Sequence, residues 1–439
     1  MSLAALEQAV STREPVSLPV QGGADAWNRS TVYCLVLVAF ALRIAFLLVA
    51  RTYATDRVGD IRIAGETTNV AISIMTGHGF GSAFNGDPTG PTAVIAPVYP
   101  YLVAIIFRFL GVMTRSSIIC IFALQSLFSA LTVIPILGIA SHSVGARAGL
   151  WAAWAWALFP WFGKWGVTWV WDTSLSALLL ACLFWYALKV PETSTGKSWI
   201  GFGLLWGLAL LVNPSLSTFL PVSLGWCVYE LHRRKKAWLK PAALSALTCL
   251  IVISPWLARN RVVFGQWVFL RSNFGFEFAM GNYHASLGRG WGGSHPSGNP
   301  KEFYKYQQMG EIAYFRSRQE QAVQFVREYP REFITLTAKR ISYFWDGSAM
   351  DYFGSISWYW VPSSYAALSF LLLPALLISH RRGLHAWPMF FGLFLLYPLP
   401  YYLTFMEVRF RHPIEPLMVL LIAYLGVEVA RMFRALLAR

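Results

Sequence analysis

Four carboxylates lie in one polar stretch, residues 52–112, which directly follows the first long apolar run of the chain. They are Asp56, Asp60, Glu66 and Asp87. A polar segment between apolar segments gives charge and water a place beside a bilayer, whereas the hydrocarbon core excludes both. We therefore expect this stretch to carry chemistry that needs a carboxylate, such as proton abstraction.

Further charged residues lie at the ends of apolar runs. Asp172 precedes the run 173–190, where a carboxylate can cap the first turn of a helix or take part in acceptor or metal binding. Arg409 and Arg411 precede the last apolar run, and two arginines at the mouth of a span are costly unless they meet an anion. Because guanidinium groups bind oxyanions in a bidentate way, the pair predicts a phosphate site, with ordinary headgroup contact as the simpler interpretation.

The composition indicates a membrane protein. Of 439 residues, 56% are hydrophobic and only 13% are charged, whereas soluble domains carry about 25% charge. The formal net charge of +15 does not favour a nucleic-acid partner, because much of the basic residue count lies in short loops beside apolar runs, as topology signals do. The remainder favours anionic membrane lipids or a lipid phosphate. The five cysteines lie in apolar runs without CxxC spacing, so we expect neither a disulfide nor a zinc site.

Ten apolar runs could cross a bilayer. They lie near residues 31–50, 117–140, 148–169, 173–190, 198–212, 215–231, 241–258, 362–379, 386–405 and 413–432. The basic clusters at 232–236, 380–382 and 431–439 should be cytoplasmic. With the N-terminus also inside, this holds only if residues 96–113 do not cross, so we expect a juxtamembrane or re-entrant helix there. The alternative is an ordinary span, with one run elsewhere miscounted.

This topology predicts four parts. They are a cytoplasmic tail, 1–28, a transmembrane core, 29–258, that includes the loop 52–112, an outer-face domain, 259–361, and C-terminal transmembrane helices with a cytoplasmic tail, 362–439. The tail 1–28 lacks the short apolar region of a cleavable signal, so the first span is expected to be retained. In the outer-face domain, residues 300–345 are predicted to be helical with a break at Pro330, and residues 273–298 to be an irregular loop. Lys339 and Arg340 are interpreted as a solvated helix face.

Short motifs, all in order and many on the predicted outer side, resemble the GT-C class of membrane glycosyltransferases. They are Gly65-Glu66, Gly77-His78-Gly79-Phe80, Gly90-Pro91-Thr92-Ala93, Ala96-Pro97-Val98-Tyr99-Pro100, Trp171-Asp172-Thr173, Ser254-Pro255-Trp256, Arg259-Asn260, Arg271-Ser272-Asn273, Gly281-Asn282 and Arg409-Phe410-Arg411-His412-Pro413. The group they resemble includes the dolichyl-phosphate-mannose protein mannosyltransferases and the aminoarabinose transferases of lipid A. The resemblance implies an all-α polytopic membrane protein with about ten transmembrane helices, juxtamembrane helices in the first outer loop and a small helical domain on the outer face.

The resemblance also implies a function. Such enzymes transfer a sugar from a polyprenyl-phosphate donor to an acceptor on the outer face of the bacterial inner membrane. The acceptor class stays open among protein, lipid A and another glycan or glycolipid. No cofactor is implied with certainty, and because the histidines on the predicted outer side lack ligand spacing such as HExxH, a divalent metal stays open.

In the family that the chain resembles, the base is an acid in the first outer loop. The matching position is Glu66, which we prefer, or Asp60, and partial burial would raise the pKa of such an acid towards neutrality. A helix-start or salt-bridge acid is the simpler interpretation of either residue. The implied donor-phosphate ligands are Arg409 and Arg411, with Arg259 and Arg271 as second candidates. The further implied substrate contacts are His78, Tyr99, Asn260, Asn282 and His412.

Two other functions would share the many spans. A polysaccharide polymerase or ligase would also use polyprenyl-linked glycans, but it would lack an early acid-rich loop followed by a juxtamembrane helix. A lipid or sugar transporter would place charged residues at the membrane midplane. Here the span interiors are almost free of charge, with Arg43 and Lys164 as the main exceptions. The sequence therefore favours an enzyme that acts at one membrane surface.

Overall fold

The chain folds into α-helices. The structure, a computed structural model, describes residues 27–54, 63, 65–84, 88–193, 195–288, 295–347 and 360–438, and for residues 360–364 it describes the backbone alone. Within these ranges there is no strand, only an isolated bridge between Gly81 and Pro91. The predicted all-α class is thus confirmed. Asp56, Asp60 and Asp87 lie outside the described residues, as does most of the predicted N-terminal tail.

The helices are α1 (Arg29–Val49), α2 (Glu66–Met75), α3 (Val98–Leu110), α4 (Arg115–Leu131), α5 (Val133–His142), α6 (Ala146–Leu158), α7 (Pro160–Thr168), α8 (Thr173–Thr193), α9 (Gly196–Val212), α10 (Leu220–Arg233), α11 (Leu239–Phe264), α12 (Phe274–Gly281), α13 (Pro300–Met309), α14 (Glu311–Glu328), α15 (Pro330–Asp346), α16 (Trp360–Arg381), α17 (Trp387–Leu396), α18 (Leu399–Leu403) and α19 (Glu415–Leu437). Two 3-10 helices, Pro214–Phe219 and Val408–Ile414, precede α10 and α19. Every predicted apolar run coincides with one or two of these helices, so apolar length was a sufficient guide to where helices form.

Five helical segments in the described part of the chain are long and apolar enough to cross a membrane. They are Arg29–Val49, Arg115–His142, Thr173–Thr193, Leu239–Phe264 and Val408–Leu437. Shorter apolar helices accompany them, so the predicted number of ten spans stays a prediction. Helix α3 has 13 residues and rises about 20 Å, which is less than the ~30 Å hydrocarbon core. The juxtamembrane position predicted for residues 96–113 stays a prediction.

Helices α9 and α11 pack closely through a small residue. A side chain at Gly203 would overlap the backbone oxygen of Ser245 and would lie 2.8 Å from Cβ of Thr248. The hydroxyl of Ser245 donates a hydrogen bond of 2.7 Å to the backbone oxygen of Trp199. Membrane helices associate in this way, through small residues and hydrogen bonds between helices, since lipid tails provide little hydrophobic drive.

Arg43 has a structural role inside the helical core. Its side chain, 3% exposed, donates hydrogen bonds to the backbone oxygens of Trp156, at 3.0 Å, and Ala157, at 3.3 Å, and to the hydroxyl of Ser129, at 2.9 Å. These carbonyls lie at the end of α6, where the chain breaks before Pro160 and intrahelical partners are missing. Arg43 therefore satisfies a helix terminus, and its charge does not indicate a transport path.

The predicted loop at residues 273–298 is wrong in part, because α12 occupies its beginning. Phe276 and Met280 lie on one side of this short helix and are buried. Gly281, which suggested a loop, is instead a point of close packing, where a side chain would overlap the backbone oxygen of Thr404. The predicted break at Pro330 is confirmed, since α14 ends and α15 begins there.

The interpretation of Arg340 as part of a solvated helix face is also wrong. Its side chain is fully buried and donates hydrogen bonds to the backbone oxygens of Gly281, at 3.0 Å, and Thr404, at 2.5 Å, and to Oδ1 of Asn282, at 3.0 Å. At this position α15 faces other protein rather than water. The guanidinium of Arg340 therefore links α12 to the segment that precedes the 3-10 helix Val408–Ile414.

The boundaries of the predicted domains stay a prediction.

Candidate functional site

Charged side chains from distant parts of the sequence converge on one cavity. It encloses about 1170 Å³ of space, part of which is open solvent. The stretch before α8, the helix α2, the helix α12 and the 3-10 helix Val408–Ile414 all contribute to its wall. Its acidic and basic lining residues are Glu66, Asp172, Arg271, Glu277, His295, Glu407 and Arg409. We call this the charged cavity.

Glu66 begins α2 and is held in place by His295. The distance between Oε1 of Glu66 and Nε2 of His295 is 3.2 Å. Nδ1 of His295 accepts a hydrogen bond of 3.1 Å from the backbone N–H of Ser297, so Nε2 carries the proton that faces Glu66. The imidazole is buried and packs edge-on against Phe84, with ring centroids 5.3 Å apart, and against Phe276, at 5.4 Å. The carboxylate of Glu66 therefore has a fixed orientation.

The pKa values of Glu66 and Asp172 are shifted in opposite directions. Burial raises the pKa of Glu66, but the hydrogen bond from His295 and nearby positive charge, including that of Arg409, outweigh burial and hold this pKa below its ordinary value. Burial raises the pKa of Asp172, and the hydrogen bond from Ser176 only partly offsets it. The upward shift expected for the catalytic acid is thus found at Asp172 and not at Glu66.

Asp172 lies in the turn before α8. Its Oδ2 accepts a hydrogen bond of 2.7 Å from the hydroxyl of Ser176, and its backbone oxygen accepts one of 2.8 Å from the N–H of the same residue. The amide of Asn213 in turn donates to the Ser176 hydroxyl at 3.2 Å. Asp172 is therefore both a helix-start residue and part of the cavity wall, so the two roles considered from the sequence are compatible.

The guanidinium of Arg409 lies in the same cavity, and the described residues do not accept hydrogen bonds from all of its nitrogens. Its Nε donates to Oε2 of Glu407 at 2.5 Å, and its guanidinium lies 4.1 Å from the ring centroid of Trp171. One terminal nitrogen of Arg409 is buried and has no hydrogen-bond partner among the described residues. A buried donor of this kind needs a partner, and an oxyanion would provide one.

Arg271 and Glu277 form a second ion pair in the wall. A terminal nitrogen of Arg271 lies 2.9 Å from Oε1 of Glu277, and its Nε donates to the backbone oxygen of Val94 at 2.7 Å. Asn273 donates to the same oxygen of Glu277 at 2.5 Å. Burial raises the pKa of Glu277, partly offset by the charge of Arg271. Arg271 thus places a second positive charge near Arg409, and Glu277 balances it.

Arg411 and His412 lie elsewhere, fully buried beside α19. Both side chains bond Glu415: Arg411 through two nitrogens at 3.1 and 3.2 Å, and His412 through Nδ1 at 2.8 Å. Another terminal nitrogen of Arg411 donates to the hydroxyl of Ser369 at 2.8 Å and to the backbone oxygen of Tyr365 at 3.0 Å. Neither side chain belongs to the wall of the charged cavity as the described residues define it.

Most of the other residues predicted to bind the donor phosphate or the substrate instead donate hydrogen bonds to backbone oxygens. Arg259 donates to the backbone oxygens of Phe80 and Thr92, both at 2.7 Å, and Asn260 donates to that of Val268 at 3.3 Å. Asn282 donates to the backbone oxygen of Leu403 at 2.9 Å. These hydrogen bonds fasten the first loop and α12 to neighbouring segments.

Two predicted substrate contacts remain. His78 is exposed and lies 2.9 Å, through Nδ1, from the hydroxyl of Thr76. Tyr99 lines the charged cavity, and its hydroxyl donates to Gln125. The structure therefore brings Glu66, Asp172, Arg271, Arg409 and Tyr99 together. It leaves His78, Arg259, Asn260, Asn282, Arg411 and His412 apart from them.

Two acids of the cavity escaped notice in the sequence. Glu277 lies four residues after Asn273, a helical spacing that places both on one face, but this segment was expected to be a loop. Glu407 lies two residues before Arg409, where an extended segment would direct both side chains to one side. His295 drew attention in the sequence only as one of several histidines that could join a metal.

The described residues contain no group of three or more His, Cys, Asp or Glu side chains arranged to bind a metal ion. Asp60, the alternative base, is not among these residues. The sequence left a divalent metal open, and it stays open.

Comparisons with known proteins agree with this architecture. Residues 94–258 match the family model of dolichyl-phosphate-mannose-protein mannosyltransferases. The oligosaccharyltransferase of Archaeoglobus fulgidus in its apo form aligns with a TM-score of 0.53 and 14% identity, over 94% of this chain and 52% of that one. The oligosaccharyltransferase AglB of the same organism, in complex with an inhibitory peptide and a dolichol-phosphate, aligns with a TM-score of 0.50 and 13% identity, over 93% of this chain and 51% of that one.

The chain thus spans about half the length of these oligosaccharyltransferases. ArnT from Cupriavidus metallidurans, bound to undecaprenyl phosphate, aligns with a TM-score of 0.41 and 12% identity, over 88% of this chain and 77% of that one. No curated protein matches the sequence significantly. The predicted resemblance to GT-C membrane glycosyltransferases is confirmed, by the family model over residues 94–258 and by a shared fold over nearly the whole chain.

Proposed function

We propose that the chain is a membrane glycosyltransferase, which transfers a sugar from a polyprenyl-phosphate donor to an acceptor on the outer face of the bacterial inner membrane. The carrying observation is that one cavity holds an oriented carboxylate, Glu66, and the guanidinium of Arg409, one nitrogen of which has no hydrogen-bond partner among the residues that the structure describes. Sugar transfer from a phosphate needs both groups: a base for the acceptor and a cation for the leaving phosphate. The GT-C fold and the dolichol-phosphate in the AglB complex support this reading.

The mechanism that we propose is a direct displacement with inversion. Glu66 accepts the proton of the acceptor hydroxyl while the acceptor oxygen forms a bond to the anomeric carbon of the donor sugar. The bond between that carbon and the phosphate oxygen breaks, and its electron pair leaves with the lipid phosphate. Because the pKa of Glu66 is lowered, its carboxylate is ionised at neutral pH and available to take the proton.

Arg409 is proposed to bind the lipid phosphate, with Arg271 nearby as the second positive charge. The ring of Trp171 and the carboxylate of Glu407 orient the Arg409 guanidinium without occupying all its donors. Developing negative charge on the phosphate would thus meet a preorganised donor, which is the main source of stabilisation in such transfers. Arg411 is fully engaged with Glu415 and with groups near α16, so we assign it to the support of the 3-10 helix.

Turnover of radiolabelled polyprenyl-phosphate sugars by membranes that carry the chain tests the proposal. Glu66→Gln should lower the rate by about two to four orders of magnitude, since it removes the proton acceptor but keeps the shape. Arg409→Gln should lower it by about two to three orders, as expected for loss of one charge-stabilising donor. Glu320→Gln, an exposed acid on α14 outside the cavity, is the matched control and should leave the rate unchanged.

Three outcomes separate the alternatives. If Asp60→Asn abolishes donor turnover and Glu66→Gln does not, at equal expression, the base is Asp60 and the proposed enzyme class is unchanged. Equal rates in all variants contradict the assignment of the charged cavity. No turnover by the wild-type chain across a broad panel of donors contradicts the glycosyltransferase function itself.

A further inference from the structure

A second cavity is lined by the helices α12 to α14 and the segments that follow α12 and α14, and it has a volume of about 570 Å³. Small-molecule sites in proteins are commonly a few hundred to about 1000 Å³, so its size suits a ligand. Its wall along α14 is formed by Arg318, Gln321, Gln324 and Phe325, with Glu302 and Tyr329 at its margins. None of these residues has a part in the proposed transfer reaction.

The charge of Arg318 is balanced, but its donors are not all used. Its nearest carboxylate oxygen, Oε2 of Glu302, lies 3.8 Å away, beyond hydrogen-bond distance. Glu302 is itself bonded by Lys305, at 2.7 Å, and by the hydroxyl of Tyr314, at 2.9 Å. Nε of Arg318 is buried without a hydrogen-bond partner in the described part of the chain. Two carboxylates, Glu302 and Glu328, line the cavity beside Arg318, so its wall favours a neutral oxygen, such as a hydroxyl, over an anion.

Amides and aromatic rings complete the wall. Gln321 and Gln324 are exposed on α14. The amide oxygen of Gln321 accepts a hydrogen bond of 2.9 Å from Arg318, and the amide nitrogen of Gln324 donates one of 2.8 Å to Glu328. The amide nitrogen of Gln321 can still donate to a ligand, and the amide oxygen of Gln324 can still accept. Phe325 lies beneath them, and Tyr329 packs against His284 with ring centroids 4.2 Å apart. Paired polar groups beside aromatic faces suit a sugar ring, which has hydroxyls at its edge and apolar C–H groups on its faces.

A peptide would fit this surface less well. Peptide recognition uses a strand edge, or pockets that take apolar side chains. The described residues form no strand, and among those that line the cavity the aliphatic side chains are only Ala279 and Ala322. The lining therefore favours a neutral saccharide over a protein segment.

Helix α12 separates the two cavities. Asn273, Phe276 and Glu277 face the charged cavity, whereas Ala279 faces the second one. A helix with its side chains is about 10 Å across, so an oligosaccharide could reach from one cavity to the other. We propose that the second cavity binds a saccharide portion of the acceptor, which makes the acceptor a glycan or glycolipid. This inference rests on the function proposed above.

Binding of fluorescently labelled full-length protein, in detergent, to an array of immobilised bacterial oligosaccharides and peptides tests the proposal. Wild type and Glu66→Gln should bind the same subset of oligosaccharides, because binding does not require turnover. Gln321→Ala/Gln324→Ala should weaken this binding roughly 10- to 100-fold if each amide contributes one hydrogen bond. Glu320→Ala/Arg327→Ala changes two exposed residues of α14 outside the cavity and is the matched control.

The possible results are distinct. Binding of peptides instead, lost in the glutamine double variant, overturns the saccharide assignment and favours a protein acceptor. Absence of oligosaccharide binding by wild type, or equal binding by the glutamine variant and its control, overturns the proposal outright. Failure of donor turnover with intact, glutamine-dependent oligosaccharide binding instead contradicts the proposed function and leaves the binding site standing.

Discussion

His295→Ala should change the pH dependence of turnover in a way that tests the assignment of Glu66 as the base. The substitution removes the donor that lies 3.2 Å from the Glu66 carboxylate. In the wild type this hydrogen bond, with nearby positive charge, outweighs burial and keeps the pKa of Glu66 below its ordinary value of 4.5. Without it, burial acts with less opposition and the pKa of Glu66 rises.

The expected size follows from the strength of the lost interaction. A hydrogen bond to a charged group contributes about 1.5–3 kcal/mol, and 1.36 kcal/mol corresponds to one pH unit. Since a base must be ionised to act, activity falls as the pH drops through its pKa. The acid limb of kcat/KM should therefore move upward by about one to two pH units in His295→Ala. Loss of the fixed carboxylate orientation should also lower kcat by about tenfold to a hundredfold.

The assay is initial donor turnover between about pH 3 and pH 9, a range that brackets the lowered pKa of wild-type Glu66, with purified protein of equal folded content. His295→Gln, whose amide can still donate to Glu66, should restore part of the shift, a rescue that a merely structural role would not give. His78→Ala, an exposed histidine outside the cavity, is the control. An unmoved acid limb in His295→Ala, with kcat lowered alone, would refute the claim that this histidine sets the ionisation of the base.

Three further changes separate site residues from supporting ones. Arg409→Lys keeps the charge but loses the planar fork, so KM for the donor should rise about tenfold, as measured by steady-state kinetics, with unchanged thermal unfolding. Arg411→Ala leaves Glu415 buried with less compensation and should cost about 3 kcal/mol of stability, seen as a lower unfolding midpoint in detergent. Gly281→Ala forces a side chain onto the backbone oxygen of Thr404, so folded yield by size-exclusion chromatography should fall sharply. Normal stability of either of the last two variants would contradict these packing arguments.

The helical framework could be predicted because apolar length and local charge act over short stretches. The apolar runs 31–50 and 173–190 predicted α1 and α8, and the run 96–113 predicted the helix α3. The acid at the start of α2 could be predicted as well, since Gly65 precedes it directly. Such features need no knowledge of which distant segments meet.

Contacts between distant segments could not be predicted in the same way. Arg409 and Arg411 are two residues apart and looked equivalent, yet one faces the charged cavity and the other is paired with Glu415. Which of these two side chains faces the cavity depends on how the 3-10 helix packs against α8 and α19. The interpretation of Arg340 as solvated was wrong for a related reason. Its helix, α15, has a charged sequence, but the packing of α15 directs this side chain towards backbone carbonyls of other segments.

The two candidate acids of the cavity, Glu66 and Asp172, lie in different environments, which suits them to different roles. Glu66 is paired with His295 and has a lowered pKa, whereas the side chain of Asp172 accepts a hydrogen bond from the neutral hydroxyl of Ser176 and has a pKa that burial raises. Two carboxyl groups whose pKa values are pushed apart commonly divide the roles of proton acceptor and proton donor. In the reaction that we propose, Glu66 takes the acceptor proton, which leaves Asp172, the acid with the raised pKa, for contact with an oxygen of the donor. Arg409 interacts electrostatically with both acids, so a phosphate bound there would raise both pKa values and would couple donor binding to the readiness of the base.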